Sequence, residues 1–224
     1  ISSIKFLNLD KNDFYEIKKV CDDENIIFLS TPQNESDLDF LLKLDIPAIK
    51  VGSDDFTNLP LLKYFSKTNL PLIVSCGMSN FDEIKTSLEH IGALTDYPTA
   101  LLLTTSEYPT ESKNVNLKKL ETLSNNFPKI PLGFSDHTRG NLAASIAVSF
   151  GACIFEKHFT LDASLAGPDH WFSATSSELK TWSDSIKTSY MMIGSGELKP
   201  TKSEIQMKSI ARRESSLNSP TFSG

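Results

Sequence analysis

No basic stretch interrupts this chain. Its 22 Lys+Arg stand against 28 Asp+Glu, giving a formal net charge of −6. Nucleic acid is bound by clustered cations that displace its counterions, so it is excluded as the main partner. A small anion is not excluded, because a few local cations can dominate a cleft inside an acidic protein. No apolar run approaches the roughly 20 residues of a membrane helix, so no membrane partner is expected. Residues Ile1 to Asp10 lack the basic region, apolar segment and small-residue cleavage site of a secretory leader. Cysteine is scarce. Cys21, Cys76 and Cys153 are odd in number and far apart, which gives neither a zinc spacing nor a disulfide framework. A reducing cytoplasm is the expected compartment.

What is present is an ordinary globular composition, 39% hydrophobic and 22% charged over 224 residues, enough for one large domain with a substantial core. Short apolar or β-branched runs alternate with segments of helical period. The runs are Ile26 to Leu29, Ala48 to Val51, Leu72 to Val74, Ala100 to Thr104, Leu132 to Phe134 and Cys153 to Glu156. Between or before them, helical spacing covers Asp13 to Asp23, Ser36 to Lys43, Leu59 to Lys67, Asn80 to Ile91, Asn116 to Asn126 and Arg139 to Phe150. Asn80 followed by two acids suits a helix N-terminus. Gly92 and Gly151 stand where a helix should stop. Pro47, Pro71 and Pro131 each stand just before a strand run. The stripe Leu142, Ile146 and Phe150 reads as core. After about Thr175 the pattern predicts a helix over Ser177 to Met192, a loop, a short helix over Ser203 to Arg213, and a disordered tail, residues 214–224.

Six βα units with strands too apolar for a solvated face imply a parallel sheet. The ends of the strands decide its form. Ser30-Thr31-Pro32, Lys50-Val51-Gly52-Ser53, Ser75-Cys76-Gly77-Met78, Thr105-Ser106-Glu107-Tyr108, Ser135-Asp136-His137 and Glu156-Lys157-His158 all carry groups able to do chemistry. A (β/α)8 barrel gathers every strand C-terminus around one mouth, whereas an open sheet gathers them only at its switch point. The α/β class with a TIM barrel is therefore expected.

Some of these residues resist a purely structural account. Lys50 lies within Ile46-Pro47-Ala48-Ile49-Lys50-Val51 and needs a partner or a cavity there. His137 and His158 end successive strands. Two imidazoles across a barrel mouth can hold a divalent cation, and the alternative is that each is an ordinary strand-end histidine bonded to a neighbour. Thr31, Ser53, Ser75 and Ser135 can supply hydroxyls to an anion, or merely cap the helices that follow. Gly52 and Gly77 allow backbone amides to come close. Glu156 reads either as support for a metal or as the partner of Lys157. His90 reads as surface or packing, and His170 as a residue near the site without an assigned role.

The motifs Ile49-Lys50-Val51-Gly52-Ser53, Ser75-Cys76-Gly77-Met78, Ser135-Asp136-His137-Thr138 and Glu156-Lys157-His158-Phe159-Thr160, followed by Ala166-Gly167-Pro168-Asp169-His170, resemble in order and spacing the N-acetylneuraminate (sialic acid) synthase family. That family includes legionaminic and pseudaminic acid synthases. Each motif alone is weak, and the ordered set is specific. The resemblance runs from about Leu9 to Arg213. It implies condensation of phosphoenolpyruvate with an N-acylated amino sugar such as N-acetylmannosamine or a related deoxy sugar. It also implies Mn2+, with Mg2+ or Co2+ as alternatives, on His137 and His158. Lys50, Thr31, Ser53, Ser75 and Ser135 are implied as phosphoenolpyruvate contacts, and Ser106, Tyr108 and Asp169 as sugar contacts. Leu103 stands where relatives commonly carry a polar strand residue. Members of the family begin with two further strands, which bear a catalytic glutamate and a lysine, and end with an antifreeze-like domain. The expectation is therefore an incomplete barrel over residues 1–213, with Ile26 to Leu29 as its first strand here, inactive or nearly so by itself, and a homodimer in the full-length parent. Two other classes remain at this point: a non-catalytic barrel remnant that needs a partner, and a different barrel aldolase that forms a Schiff base through Lys50.

Overall fold

The computed structural model describes residues 9–213, so the tail at residues 214–224 lies outside the described residues. The chain divides into two units, residues 1–192 and 193–224. The first carries a five-stranded, all-parallel sheet in the order β1-β2-β3-β4-β5. Its strands are β1 (Ile49–Val51), β2 (Leu72–Ser75), β3 (Thr99–Thr104), β4 (Leu132–Asp136) and β5 (Ile154–Lys157). Helices α1 (Lys11–Asp23) and α2 (Glu35–Leu41) precede the sheet. Helices α3 (Leu59–Ser66), α4 (Phe81–Ile91), α5 (Ser112–Val115), α6 (Lys119–Asn126) and α7 (Leu142–Ser149) form the crossovers, and α8 (Ser176–Ile193) follows β5. In the second unit, α9 (Lys202–Ala211) is capped by Thr201, whose hydroxyl accepts from the Glu204 N–H while the Glu204 carboxylate accepts from the Thr201 N–H.

Helix ends follow local chemistry. The Asn80 side chain accepts from the Glu83 N–H, and the Glu83 carboxylate accepts from the Asn80 N–H, which satisfies two orphan donors of α4 reciprocally. Gly92 ends that helix at φ +91°, a left-handed conformation that costs glycine little. Asp10 and Asp13 make the same reciprocal cap on α1.

Strand order never reverses, which rules out a switch point and leaves an arc. Its curvature shows in one distance. Flat, β1 and β5 would stand about 19 Å apart, four spacings of about 4.8 Å. Yet the Lys50 Nζ on β1 lies 3.6 Å from a Glu156 carboxylate oxygen on β5. The sheet is therefore a half-barrel, with Lys50 and Glu156 on its concave side. Register and pleat put Ser75, Leu102 and Gly133 on that side, and Thr104, Ser135 and Glu156 in the next layer.

The convex side carries the core. Ile49, Val51, Leu72, Val74, Leu101, Leu103, Leu132 and Phe134 are buried against Leu38 and Leu41 of α2, Leu62 and Phe65 of α3, Leu88 of α4, Leu120 of α6 and Trp182 of α8. Leu103 thus faces the helices and leaves the concave face unchanged. The expectation for α7 needs correction. Leu142 is 70% and Ile146 41% exposed, and the helix docks through Ala144, Ala147 and Val148. Small residues bring its backbone close to the sheet and turn the larger side chains outward.

A second correction concerns Ile26 to Leu29, which pairs with no strand among the described residues. The segment borders a cleft with Asp45 and Pro47, ahead of β1, and only Phe28 packs onto the core, edge-on to Phe14. Ile26 and Ile27 are 61% and 73% exposed. β propensity expresses packing on both faces of a pleated surface, and these side chains have no such cover.

Candidate active site

Four strands converge on one polar cluster. The Lys50 ammonium donates to the Ser75 hydroxyl at 2.8 Å and to the Val51 carbonyl at 2.9 Å. The Ser135 hydroxyl donates to the second oxygen of Glu156 at 2.6 Å. Glu156 therefore bridges β1 and β4 from β5. Burial is the main influence holding the Lys50 pKa below its ordinary value, and the Glu156 and Asp54 carboxylates oppose it. The pleat separates Glu156 from Lys157. Glu156 turns toward Lys50, while Lys157, one residue on, turns to the convex side and pairs with Asp136 at 3.0 Å.

Beside this cluster, the Gly77 N–H donates to the Ser53 hydroxyl at 3.0 Å. A β-carbon at Gly77 would stand 2.5 Å from the Ser106 Oγ and 2.7 Å from the Ser53 Oγ. Glycine is what lets the two serines close on each other. The Ser53 and Ser75 oxygens accept from Gly77 and Lys50, which leaves both O–H groups free to donate outward.

The two histidines meet at the same mouth. His137 and His158 stand with ring centroids 5.3 Å apart, and Tyr108 packs on both, at 4.3 and 5.6 Å. Phe172 closes the aromatic group at 5.0 Å from His158. The His137 Nδ1 lies 2.8 Å from the Thr105 carbonyl. A carbonyl only accepts, so Nδ1 carries the proton and Nε2 presents a lone pair. Burial lowers the His137 pKa, and the proximity of His158 adds to this. The Thr105 carbonyl and the Glu156 and Asp136 carboxylates work against it. The His158 Nδ1 faces Asp169 at 3.8 Å, beyond hydrogen-bond reach. Burial raises the Tyr108 pKa, and the Asp169, Asp54 and Glu156 carboxylates add to this.

Lys50, Ser53, Ser75, Ser106, Tyr108, Ser135, His137, His158 and Asp169 are thus gathered at the C-terminal ends of the strands. Thr31 is not among them. It is exposed and lines a separate cleft with Lys11, Phe14, Ser36 and Phe40, because the segment before it never joins the sheet. His170 bonds through Nδ1 to the Thr160 hydroxyl at 2.8 Å, and His90 is exposed on α4. Sequence reasoning passed over Asp54, although its place after Lys50-Val51-Gly52-Ser53 was a signal. Among the described residues, no three His, Cys, Asp or Glu side chains form a metal-holding group. Two imidazoles are the available donors, and rings 5.3 Å apart suit nitrogens each about 2.1 Å from a shared ion.

Comparison with known proteins identifies the family and the fold. A family model described as the NeuB family matches residues 1–198. The N,N'-diacetyllegionaminic acid synthase of Legionella pneumophila is 38% identical over 99% of this chain and 63% of that protein. The N-acetylneuraminate-9-phosphate synthase of Drosophila melanogaster is 35% identical over 81% of this chain and 49% of that protein. The chain thus spans from about half to just under two thirds of the length of these relatives. Among solved structures, the N-acetylneuraminic acid synthetase of Leptospira borgpetersenii, in complex with citrate, superposes with a TM-score of 0.82 at 31% identity, over 92% of this chain and 73% of that one. A truncated 3-deoxy-D-arabino-heptulosonate 7-phosphate synthase of Thermotoga maritima shares the fold at a TM-score of 0.72 and 18% identity, over 84% of this chain and 74% of that one. Ordered strand-end motifs, a curled parallel sheet and a match over most of its length make this chain a member of the NeuB family.

Proposed function

We propose that this half-barrel carries the anion- and metal-binding part of a synthase active site. The reaction joins phosphoenolpyruvate to the open-chain aldehyde of an N-acylated amino sugar, N-acetylmannosamine or a related deoxy sugar. The enol methylene carbon forms the new bond to the aldehyde carbon. Water adds at the phosphate-bearing carbon, and phosphate leaves with its bridging oxygen, giving a nine-carbon 2-keto acid. The observation that carries this reading is Lys50. Its side chain is 13% exposed, and it lies on the concave face with free serine hydroxyls around it.

In this mechanism the chain mainly positions and neutralises. Lys50 supplies the positive charge. Ser53 and Ser75 donate to phosphate or carboxylate oxygens, and Ser135 lines the same site while its single proton stays on Glu156. When phosphoenolpyruvate enters, Lys50 exchanges part of its contact with Glu156 for the incoming anion, and Glu156 stays anchored by Ser135. Tyr108, Ser106 and Asp169 face the sugar. His137, through its Nε2 lone pair, and His158 would hold a divalent cation, Mn2+ or alternatively Mg2+ or Co2+. The chemistry such an ion would supply there is Lewis acidity toward the aldehyde oxygen. Among the described residues no helix is long and apolar enough to cross a membrane.

Binding is the first test. Calorimetric titration with phosphoenolpyruvate, with and without Mn2+, should show an affinity that falls in Lys50→Met and an Mn2+ site that disappears in His137→Ala. Phosphoenolpyruvate binding that ignores Lys50 would defeat the reading. Phosphate release on adding N-acetylmannosamine, phosphoenolpyruvate and Mn2+ together reads the condensation itself. Borohydride trapping of Lys50 with a keto substrate would instead identify a Schiff-base aldolase.

A further inference from the structure

Behind the site, on the convex side of the sheet, lies a buried ionic cluster that the proposed chemistry does not use. Asp136 ends β4 and is 1% exposed. Its Oδ1 accepts from the Thr138 N–H at 2.8 Å and the Thr138 hydroxyl at 2.7 Å. Its Oδ2 accepts from the Lys157 ammonium at 3.0 Å and from the Trp182 indole N–H at 2.8 Å. Lys157 also donates to the Thr138 carbonyl. Asp136 and Lys157 are register partners across β4 and β5, with side chains 0% and 5% exposed. Each immediately precedes one of the two histidines.

Adhesion explains such a cluster poorly. Removing two charges from water costs several kcal/mol per ion, and well-packed apolar residues of similar volume often hold a fold equally well. What the cluster does achieve is geometric. It clamps the backbone on both sides of His137, through Asp136 and Thr138, and clamps the residue before His158. His158 itself is tied down as well, since the Ala174 N–H donates to its carbonyl at 2.9 Å. Two rings that would share an ion without a third protein ligand rely on such backbone anchors for their spacing, alongside the Thr105 carbonyl at His137 Nδ1 and the packing of Tyr108 and Phe172.

We infer that Asp136 and Lys157, with Trp182 reaching in from α8, are positioning residues that fix the separation of the His137 and His158 rings for a divalent cation. This rests on the metal reading above. Partners of metal ligands are worth roughly 10- to 100-fold in affinity. Asp136→Asn should therefore weaken Mn2+ binding about 10- to 100-fold, measured by water-proton relaxation well below the melting temperature. The double variant Asp136→Leu/Lys157→Met separates the two roles. It should recover a melting temperature near that of the wild type while Mn2+ affinity stays low. Recovery of both together would show a merely structural pair and overturn the inference. If the double variant does not fold, Trp182→Phe removes a single bond to Oδ2. It should still lower Mn2+ affinity severalfold in a folded protein, and unchanged affinity there also overturns the inference. Wild-type protein that binds no Mn2+, or binding untouched by His137→Ala, would sink the two-imidazole site and this inference with it. Binding lost in His137→Ala yet indifferent to the Asp136 variants would sink the positioning role alone.

Discussion

Replacing Lys50 with methionine separates a cation kept for a ligand from one kept for the fold. Across 3.6 Å, the Lys50–Glu156 attraction is roughly 4–5 kcal/mol at an effective dielectric near 20. Glu156 is 42% exposed, so solvent screens much of this, and the net worth of such a pair is about 1 kcal/mol. Burial of the ammonium works in the opposite direction and dominates its lowered pKa. Methionine fills a similar volume without that cost, and Glu156 keeps its bond from Ser135. Stability should therefore change by no more than about 1 kcal/mol, read from the denaturant midpoint. Phosphoenolpyruvate would lose a charge-assisted contact worth about 1.5–3 kcal/mol, or roughly 10- to 150-fold in affinity, read by calorimetry. A steep loss of stability with unimpaired phosphoenolpyruvate binding would refute the reasoning.

Gly77→Ala should force the Ser53 and Ser106 hydroxyls apart, since its β-carbon would stand 2.5 to 2.7 Å from them. A cost of about 1–3 kcal/mol in stability is expected, together with weaker phosphoenolpyruvate binding, and the same two measurements check it. The buried His137 gives a pH signature. Its folded pKa lies below the unfolded value of about 6.5, so the unfolded state holds more protons between the two values. Stability should decline as pH falls from about 6.5 through the folded pKa and then level off. Denaturant midpoints from pH 8 to pH 5 should lose that component in His137→Gln. In the helix layer, Leu62→Ala removes a side chain with no exposure and should cost about 2–5 kcal/mol, with the Mn2+ affinity of the folded protein unchanged.

Much of this molecule is legible from local chemistry. The Asn80 cap, the stop at Gly92 and the prolines ahead of the strand runs fall where the helices and strands change over. Lys50 declares itself because an ammonium amid isoleucine and valine requires company. Other features depend on partners far along the chain. Ile26 to Leu29 has the composition of a strand, but composition does not supply the neighbours a strand needs. Leu142 and Ile146 have helical spacing, yet which face of α7 docks was decided by how closely two alanines approach the sheet. Thr31 is expected among the phosphoenolpyruvate contacts by resemblance, but its neighbourhood lies elsewhere because the segment before it stays out of the ladder. The Asp136–Lys157 pair was hidden by adjacency. Glu156 is the nearer carboxylate in sequence, and only strict alternation along β5 sends the two side chains to opposite sides.

The unbroken strand order has a mechanical consequence. Because each strand pairs with the one before it and the one after it, cohesion is greatest in the middle and thins toward the ends. β3 is buried along its whole length and bonded on both flanks, while β1 has three residues and a single neighbour among the described residues. Amide exchange should therefore be slowest over Thr99–Thr104 and quicken outward in both directions. Lys50 and Glu156 sit on the two loosest staves, so breathing at the rims would part them first.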